Sequence, residues 1–206
     1  MGYLAIFLFA LSANLDNFTV AITYGMRKIQ IGPIPNLLIA GISGGGTLLF
    51  MTVGVWIGRF LPHSIADIIG SLLLIGIGIW SIKGALCAKP SKPSKPRHSN
   101  GIHLSELLDA PEKADADANG SIDLREATIL AFALTINNAG LGLGASIAGV
   151  DILLTTLCTT FFSLAAIFIG CLIGKNWASR LLGRFAPLIA GIAIAALGVY
   201  ELIPVL

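Results

Sequence analysis

The stretch Leu11-Ser12-Ala13-Asn14-Leu15-Asp16-Asn17-Phe18-Thr19 sets one carboxylate, two amides and two hydroxyls in the middle of an otherwise apolar run. At helical spacing Ser12, Asp16, Thr19 and Thr23 fall at i, i+4, i+7 and i+11 and make one polar stripe, with Asn14 and Asn17 on the adjoining face. All six side chains carry oxygen and none offers sulfur or imidazole. That donor set suits a hard divalent cation held in a roughly octahedral array of carboxylate, amide, hydroxyl and backbone oxygens. A charge at membrane depth costs about 2.5 to 3.5 kcal/mol on insertion scales, so such a residue normally faces a bundle interior and marks an ion path. The plainer reading is that Asp16 and its amide neighbours only hold helices together, through interhelical hydrogen bonds of about 0.6 to 2 kcal/mol.

The elements that must position this stretch are membrane spans. The chain has 206 residues, 55% hydrophobic and 12% charged, with a mean hydropathy of +0.87. A soluble domain carries about 25% charged residues. Crossing a hydrocarbon core of about 30 Å takes roughly 20 apolar residues in a helix, and six stretches qualify: 3–26, 35–60, 65–86, 126–149, 152–174 and 185–206. The lipid bilayer is therefore the expected surroundings, and nucleic acid is not an expected partner. The first stretch has no basic region ahead of it and carries Arg27-Lys28 behind it, which reads as a retained span rather than a signal peptide. Cys87, Cys158 and Cys171 have no paired spacing and read as small buried thiols. No Gly-rich phosphate loop ending in Lys-Ser or Lys-Thr is present, and no nucleophile is paired with a base, so enzyme chemistry is not expected. Asp67 and Glu201 fall near the ends of their spans, where interfacial carboxylates are expected.

Lys and Arg set the orientation. The connections after spans one, three and five carry twelve of the 13, and only Arg59 lies on the other side. The positive-inside rule makes the rich side cytoplasmic, with both termini outside the cell membrane and residues 88–125 inside. Three spans per half, entering in opposite directions, is the arithmetic of an inverted repeat. Leu15-Asp16-Asn17 aligns with Ile136-Asn137-Asn138, and Asn14 with Thr135. Gly54-Val55-Trp56-Ile57-Gly58-Arg59 aligns with Gly170-Cys171-Leu172-Ile173-Gly174-Lys175, and Gly78-Ile79-Trp80 with Gly198-Val199-Tyr200. The expected architecture is an all-α integral membrane protein of six transmembrane helices, built as two inverted three-helix repeats, 1–87 and 126–206, around a cytoplasmic loop. Gly41, Gly44, Gly45 and Gly46 in span two read as close helix packing in preference to an unwound segment.

The repeated polar motif, six short spans and central loop resemble the small bacterial manganese efflux pumps, and within them the sporulation-associated membrane-protein branch of the lysine-exporter superfamily. The resemblance implies export of a divalent cation, manganese first, across a bacterial inner membrane; with no nucleotide motif present, an ion or proton gradient is the expected energy source. It places the motif carboxylate of the first half on Asp16, whereas the second half has Asn137 where those pumps have Asp. The cation site expected from residues and resemblance together comprises Asp16, Asn17, Asn137, Asn138, Ser12, Asn14 and Thr19.

The loop has two parts. Lys89-Pro90-Ser91-Lys92-Pro93-Ser94-Lys95-Pro96-Arg97 is a basic, Pro-spaced tether suited to anionic lipid, at about 1 kcal/mol per basic residue. Residues 115–126 follow the EF-hand pattern: Asp115, Asp117, Asn119, Ser121, Asp123 and Glu126 as oxygen ligands, Gly120 at the turn and Ile122 between them. Calcium is the expected ion there, with residues 103–114 as entering helix. The plainer reading is a capping box of Asp123 and Glu126 that starts span four, and the two are compatible, since position 9 of such a loop also caps the exiting helix. A working alternative for the whole chain is a non-transporting sensor or assembly protein whose metal-binding loop does the work.

Overall fold

Long apolar runs can satisfy their backbone groups in a membrane only by coiling into helices, and the computed structural model is a helical bundle. It describes residues 3–60, 62–87, 115, 119–175 and 179–203. The tether 89–97, the segment 103–114, Asp117 and the side chains of Asn137 and Asp67 lie outside the described residues.

The elements in order are α1 (Tyr3–Ala13), α2 (Leu15–Arg27), β1 (Gln30–Ile31), α3 (Pro33–Gly58), α4 (His63–Cys87), β2 (Ser121–Ile122), α5 (Leu124–Asn137), α6 (Ala139–Ile147), α7 (Ile152–Gly174) and α8 (Ser179–Leu202). Their ends have local causes. Pro33 opens α3, where its missing N–H is not needed. Lys28, at φ 61°, closes α2 with its N–H on the Gly25 carbonyl and that of Ile29 on the Tyr24 carbonyl; this paired arrangement satisfies two carbonyls the helix leaves open. Asp151 caps α7 by accepting from the Leu154 N–H at 2.7 Å.

Against an expectation of six spans, four segments of the described residues are long and apolar enough to cross a bilayer: Tyr3–Arg27, Pro33–Gly58, Ile68–Leu86 and Ile152–Gly174. The bent pair α5 and α6 makes a fifth when taken as one span, and the apolar part of α8, Leu188–Leu202, is shorter. Glycines set the close approaches. Gly44 packs under Thr160 of α7 and Gly46 under Thr135 of α5, and α3 stays helical through Gly44-Gly45-Gly46. A Cβ on Gly78 of α4 would lie 2.8 Å from the Gly191 carbonyl oxygen, and one on Gly198 of α8 2.8 Å from that of Ser71.

Two apolar cores result. Val20, Tyr24, Ile39, Leu130, Leu134 and Ile167 form one, near the ends of α2 and α7 that carry Arg27 and Lys175. Ile6, Phe9, Met51, Leu74, Leu141 and Leu197 belong to the other. Along α1–α2, α3, α5–α6 and α7, the buried polar residues Asn14, Asn17, Ser43, Thr47, Thr135, Thr159 and Ser163 fall between residues of the two cores. The bundle therefore has a polar layer across its middle. At its basic end β1 and β2 pair in parallel, Gln30 with Ser121 and Ile31 with Ile122, which ties the loop to the α2–α3 connection and buries Ile122 in the first core.

Candidate cation site

Both breaks in the helices fall within the repeated polar motif. At Asn14 (φ −112°, ψ 3°) the backbone N–H turns to the Leu11 carbonyl at 3.2 Å, and the Asn14 Nδ2 donates to the Ala10 carbonyl at 2.8 Å in its stead. At Asn138 (φ −91°, ψ 0°) α5 gives way to α6, and the two axes differ by 42°. The breaks touch: Asn138 Nδ2 donates to the Ala13 carbonyl at 2.7 Å and to Asp16 Oδ2 at 3.2 Å. Asp16 stands in the first turn of α2, where its Oδ1 accepts the Asn17 N–H at 2.8 Å. Unpaired N–H groups at a helix start favour negative charge there, so the break itself helps hold an anionic carboxylate inside the bundle.

Beside Asp16 lies a cavity of about 660 Å³. The stripe read from the sequence lines it: Ser12, Asp16, Thr19 and Thr23 from α1 and α2, joined by Asn138 from the second half. Opposite walls come from α4, with Ile77, Trp80, Ser81 and Gly84, and from α8, with Ala190 and Ile194. Thr19 Oγ1 donates to the Leu15 carbonyl at 2.7 Å and Thr23 Oγ1 to the Thr19 carbonyl at 3.1 Å. Their protons are thereby engaged while the oxygen lone pairs stay available to a cation. Ser12 is 4% exposed, and its Oγ has no hydrogen-bond partner among the described residues. A buried hydroxyl in that state costs about 1 to 3 kcal/mol, which a ligand in the cavity would offset. A carboxylate, an amide and three hydroxyls around a cavity can replace part of the hydration shell of a small divalent ion.

Asn14 and Asn17 point elsewhere. Both are fully buried against α7: Asn14 Nδ2 lies 3.2 Å from the Thr159 carbonyl, and Asn17 Nδ2 donates to Asn14 Oδ1 at 3.1 Å and to Ser163 Oγ at 3.0 Å. Asn137 ends α5 in the same layer. Ser81 and Trp80 were not anticipated as site residues; the one available signal was that Ser81 directly follows the repeated Gly78-Ile79-Trp80. Glu201 departs from the interfacial placement expected of it. It is 3% exposed, because α8 lies along α4 through Gly191 and Gly198 and that contact carries its last turn into the bundle.

In the loop, Gly120 takes φ 80° and gives its N–H to Asp115 Oδ2 at 3.2 Å, while Asn119 Oδ1 accepts from the Ser121 N–H and hydroxyl, each at 2.7 Å. Asp123 Oδ1 accepts the Glu126 N–H at 2.8 Å, and Glu126 Oε2 accepts the Asp123 N–H at 3.2 Å. The capping box is thus formed, and Glu126 is folded back on it. Among the described residues no three His, Cys, Asp or Glu side chains come together as a metal cluster.

Residues 103–202 match the family profile Mntp, described as a putative manganese efflux pump. The chain is 31% identical over 218 residues to the probable sporulation protein YtaF of Bacillus subtilis (strain 168), covering 98% of this chain and 100% of that protein. It is 28% identical over 200 residues to the putative manganese efflux pump MntP of Bacillus thuringiensis (strain Al Hakam), covering 95% and 93% of the two chains. The same figures hold for MntP of Bacillus cereus (strain AH820). No solved structure matches the chain at a significant level.

Proposed function

The chain belongs to the Mntp family, and from that premise we propose that it exports a divalent cation, manganese foremost, through the cavity beside Asp16. The observation that carries this reading is the meeting of Asp16 with Asn138. The intramembrane carboxylate sits at one helix break, an amide from the other half of the chain reaches it at 3.2 Å, and both line one cavity. In this reading Asp16 supplies charge; Asn138, Ser12, Thr19 and Thr23 supply neutral oxygens, and Asn14 and Asn17 hold the surrounding layer in place. Manganese suits a set of hard oxygen donors.

Six spans in two inverted repeats remain the architecture we propose. Under the alignment of Gly78 with Gly198, Ser71 aligns with Gly191, so the approach of Gly78 to Gly191 and that of Gly198 to Ser71 are one contact seen from each half. The cavity runs from Asn138 toward Thr23 and Gly84, near the ends of α2 and α4 that carry Arg27, Lys28 and Lys83. With the positive-inside orientation it opens to the cytoplasm, as an exporter awaiting its substrate would. A gradient of ions or protons would drive transport.

The loop supplies a regulatory part of the proposal. Gly120 at φ 80° with its N–H on Asp115 is the turn an EF-hand needs, so calcium held by Asp115, Asp117, Asn119, Ser121, Asp123 and Glu126 would act on α5. The second reading, a sensor or assembly protein, is favoured by the 31% identity to a sporulation protein and by Asn137 in place of a second Asp. Cellular metal content decides between them: cells producing the chain should hold less manganese than control cells in the same medium, and cells producing Asp16→Asn should not. Equal metal content across a survey of divalent ions would leave the sensor reading.

A further inference from the structure

Glu201 is a buried carboxylate that the cavity does not use. Ile194 of α8 lines the cavity, and Glu201 lies seven residues farther along the same helix, roughly 10 Å away at about 1.5 Å per residue. The interval runs through the second apolar core, where Ile194 and Leu197 are packed with Leu74, Leu141 and Phe9. Glu201 is held by an interaction within the protein, as a fully buried Glu almost always is.

The contact between α4 and α8 says what its surroundings correspond to. With Gly78 aligned to Gly198, Ser81 aligns to Glu201, Ile77 to Leu197, Gly70 to Ala190 and Leu74 to Ile194. The reciprocal 2.8 Å approaches at Gly78 and Gly198 fix that register independently of residue type. Ser81, Ile77, Ala190 and Ile194 all line the open cavity. Their counterparts at the other end are shut: Leu74 and Leu197 are fully buried, and Gly70 is pressed on the Ala148 backbone and the Gly144 carbonyl. The same wall is open in one half and closed in the other.

We propose that Glu201 is a cation-binding residue of the exit path, exposed when the two halves exchange shapes and Gly70, Leu74 and Leu197 part. The cation leaves Asp16, which is re-bonded by Asn138, and meets Glu201 as the next negative charge on its way out. Only this path has a carboxylate at the Ser81-equivalent position, which biases the open outer half toward drawing the ion from the centre. The inference rests on the exporter reading above.

The test uses the full chain in proteoliposomes, with manganese as the probe. Glu201→Gln should lower manganese export at least tenfold, Glu201→Asp should restore part of it, and manganese should still protect Thr23→Cys from thiol labelling at the inner cavity in the Glu201→Gln background. Export by Glu201→Gln at the wild-type rate overturns the proposal. A second measurement does not depend on that variant. With Cys87, Cys158 and Cys171 replaced by Ser, Leu197→Cys should react with a membrane-impermeant thiol reagent from the exit side during manganese turnover and not when Asp16→Asn is also present. Export by that variant without such labelling shows that this wall stays shut and overturns the proposal even if Glu201→Gln fails to fold. Absence of export by the wild-type chain defeats the exporter reading itself, and the exit path falls with it.

Discussion

Two faces of one helix make opposite use of the same chemistry. On α1–α2 the residues Ser12, Asp16, Thr19 and Thr23 face a cavity, and two turns of the same segment present Asn14 and Asn17 to α7. The amides are locked into a chain of hydrogen bonds, Ser163 to Asn17 to Asn14 to the Thr159 carbonyl. The stripe keeps Ser12 Oγ without a hydrogen-bond partner among the described residues, and its threonine hydroxyls use their protons on carbonyls of their own helix. The sequence poses ion binding and helix adhesion as rival accounts of one polar motif; in the structure one side of it lines a cavity and the other bonds to α7, which is the division the proposed cation site uses. Polar content in a span thus says little until its partners are known: both amide donors of the adhesion face are engaged by the Asn14–Ser163–Thr159 network, although Asn17 Oδ1, like Ser12 Oγ, has no hydrogen-bond partner among the described residues.

The largest effect should come from the cavity face. Asp16→Asn removes the charge that offsets dehydration of a divalent ion, so export should fall to background while the protein still accumulates in the membrane. Normal transport by that variant would move the site elsewhere and turn the whole of α2 into adhesion surface. Next comes Asn138→Leu, which deletes the amide bridging Asp16 and the Ala13 carbonyl. It also removes an amide oxygen from the proposed ligand set, a loss of about 1 to 3 kcal/mol for a bond to a charged partner, so affinity for manganese should fall by about ten- to a hundredfold in equilibrium binding. An unchanged affinity would reduce Asn138 to a helix cap.

The adhesion face should respond differently. Asn17→Ala breaks contacts to Asn14 and Ser163 and should lower thermal stability in detergent, with a coupling of about 0.6 kcal/mol to Ser163→Ala in a double-mutant cycle. Export per folded molecule should stay within about twofold of wild type. A tenfold loss of export at unchanged stability would put Asn17 back among the ligands and erase the distinction between the faces.

How much of this the sequence carried follows from what each feature depends on. The stripe was legible because a period of 3.6 residues is a local property, and it lines the cavity as one face. The break at Asn14 was not: nothing in Leu11 to Thr19 disfavours a continuous helix strongly, and the break is held by Asn138 from 125 residues away taking the Ala13 carbonyl. Ser81 carried no such signal, since only the packing of α4 beside α8 brings it to the cavity. Glu201 was misplaced for the same reason, as position along a span says nothing of which side faces a neighbour. Two-residue strands such as β1 and β2 carry no periodicity at all, so the attachment of Ile122 to the basic end of the bundle had no signal in sequence.

That attachment gives the smallest predicted effect and the finest version of the comparison. Glu126 serves in two arrangements: the capping box seen here, with Oε2 on the Asp123 N–H, and, in the proposed calcium loop, the last ligand. Moving it from one to the other acts on the first turn of α5, roughly 18 Å along the chain's helical rise from Asn138. Calcium can influence the cavity only if the loop binds it with different affinity in the two positions of that helix. Asp115→Ala with Asp117→Ala should therefore abolish calcium binding in the micromolar range by calorimetry and remove the calcium dependence of manganese export, while the maximal rate stays within about twofold. Asp123→Ala should in addition lower stability by about 1 kcal/mol, since it removes the helix cap as well as a ligand. If the double variant binds calcium as before, the capping box is the whole function of these acids. If it loses calcium while export is unchanged at every calcium level, α5 is a rigid wall, and the face that matters is the one Asp16 already occupies.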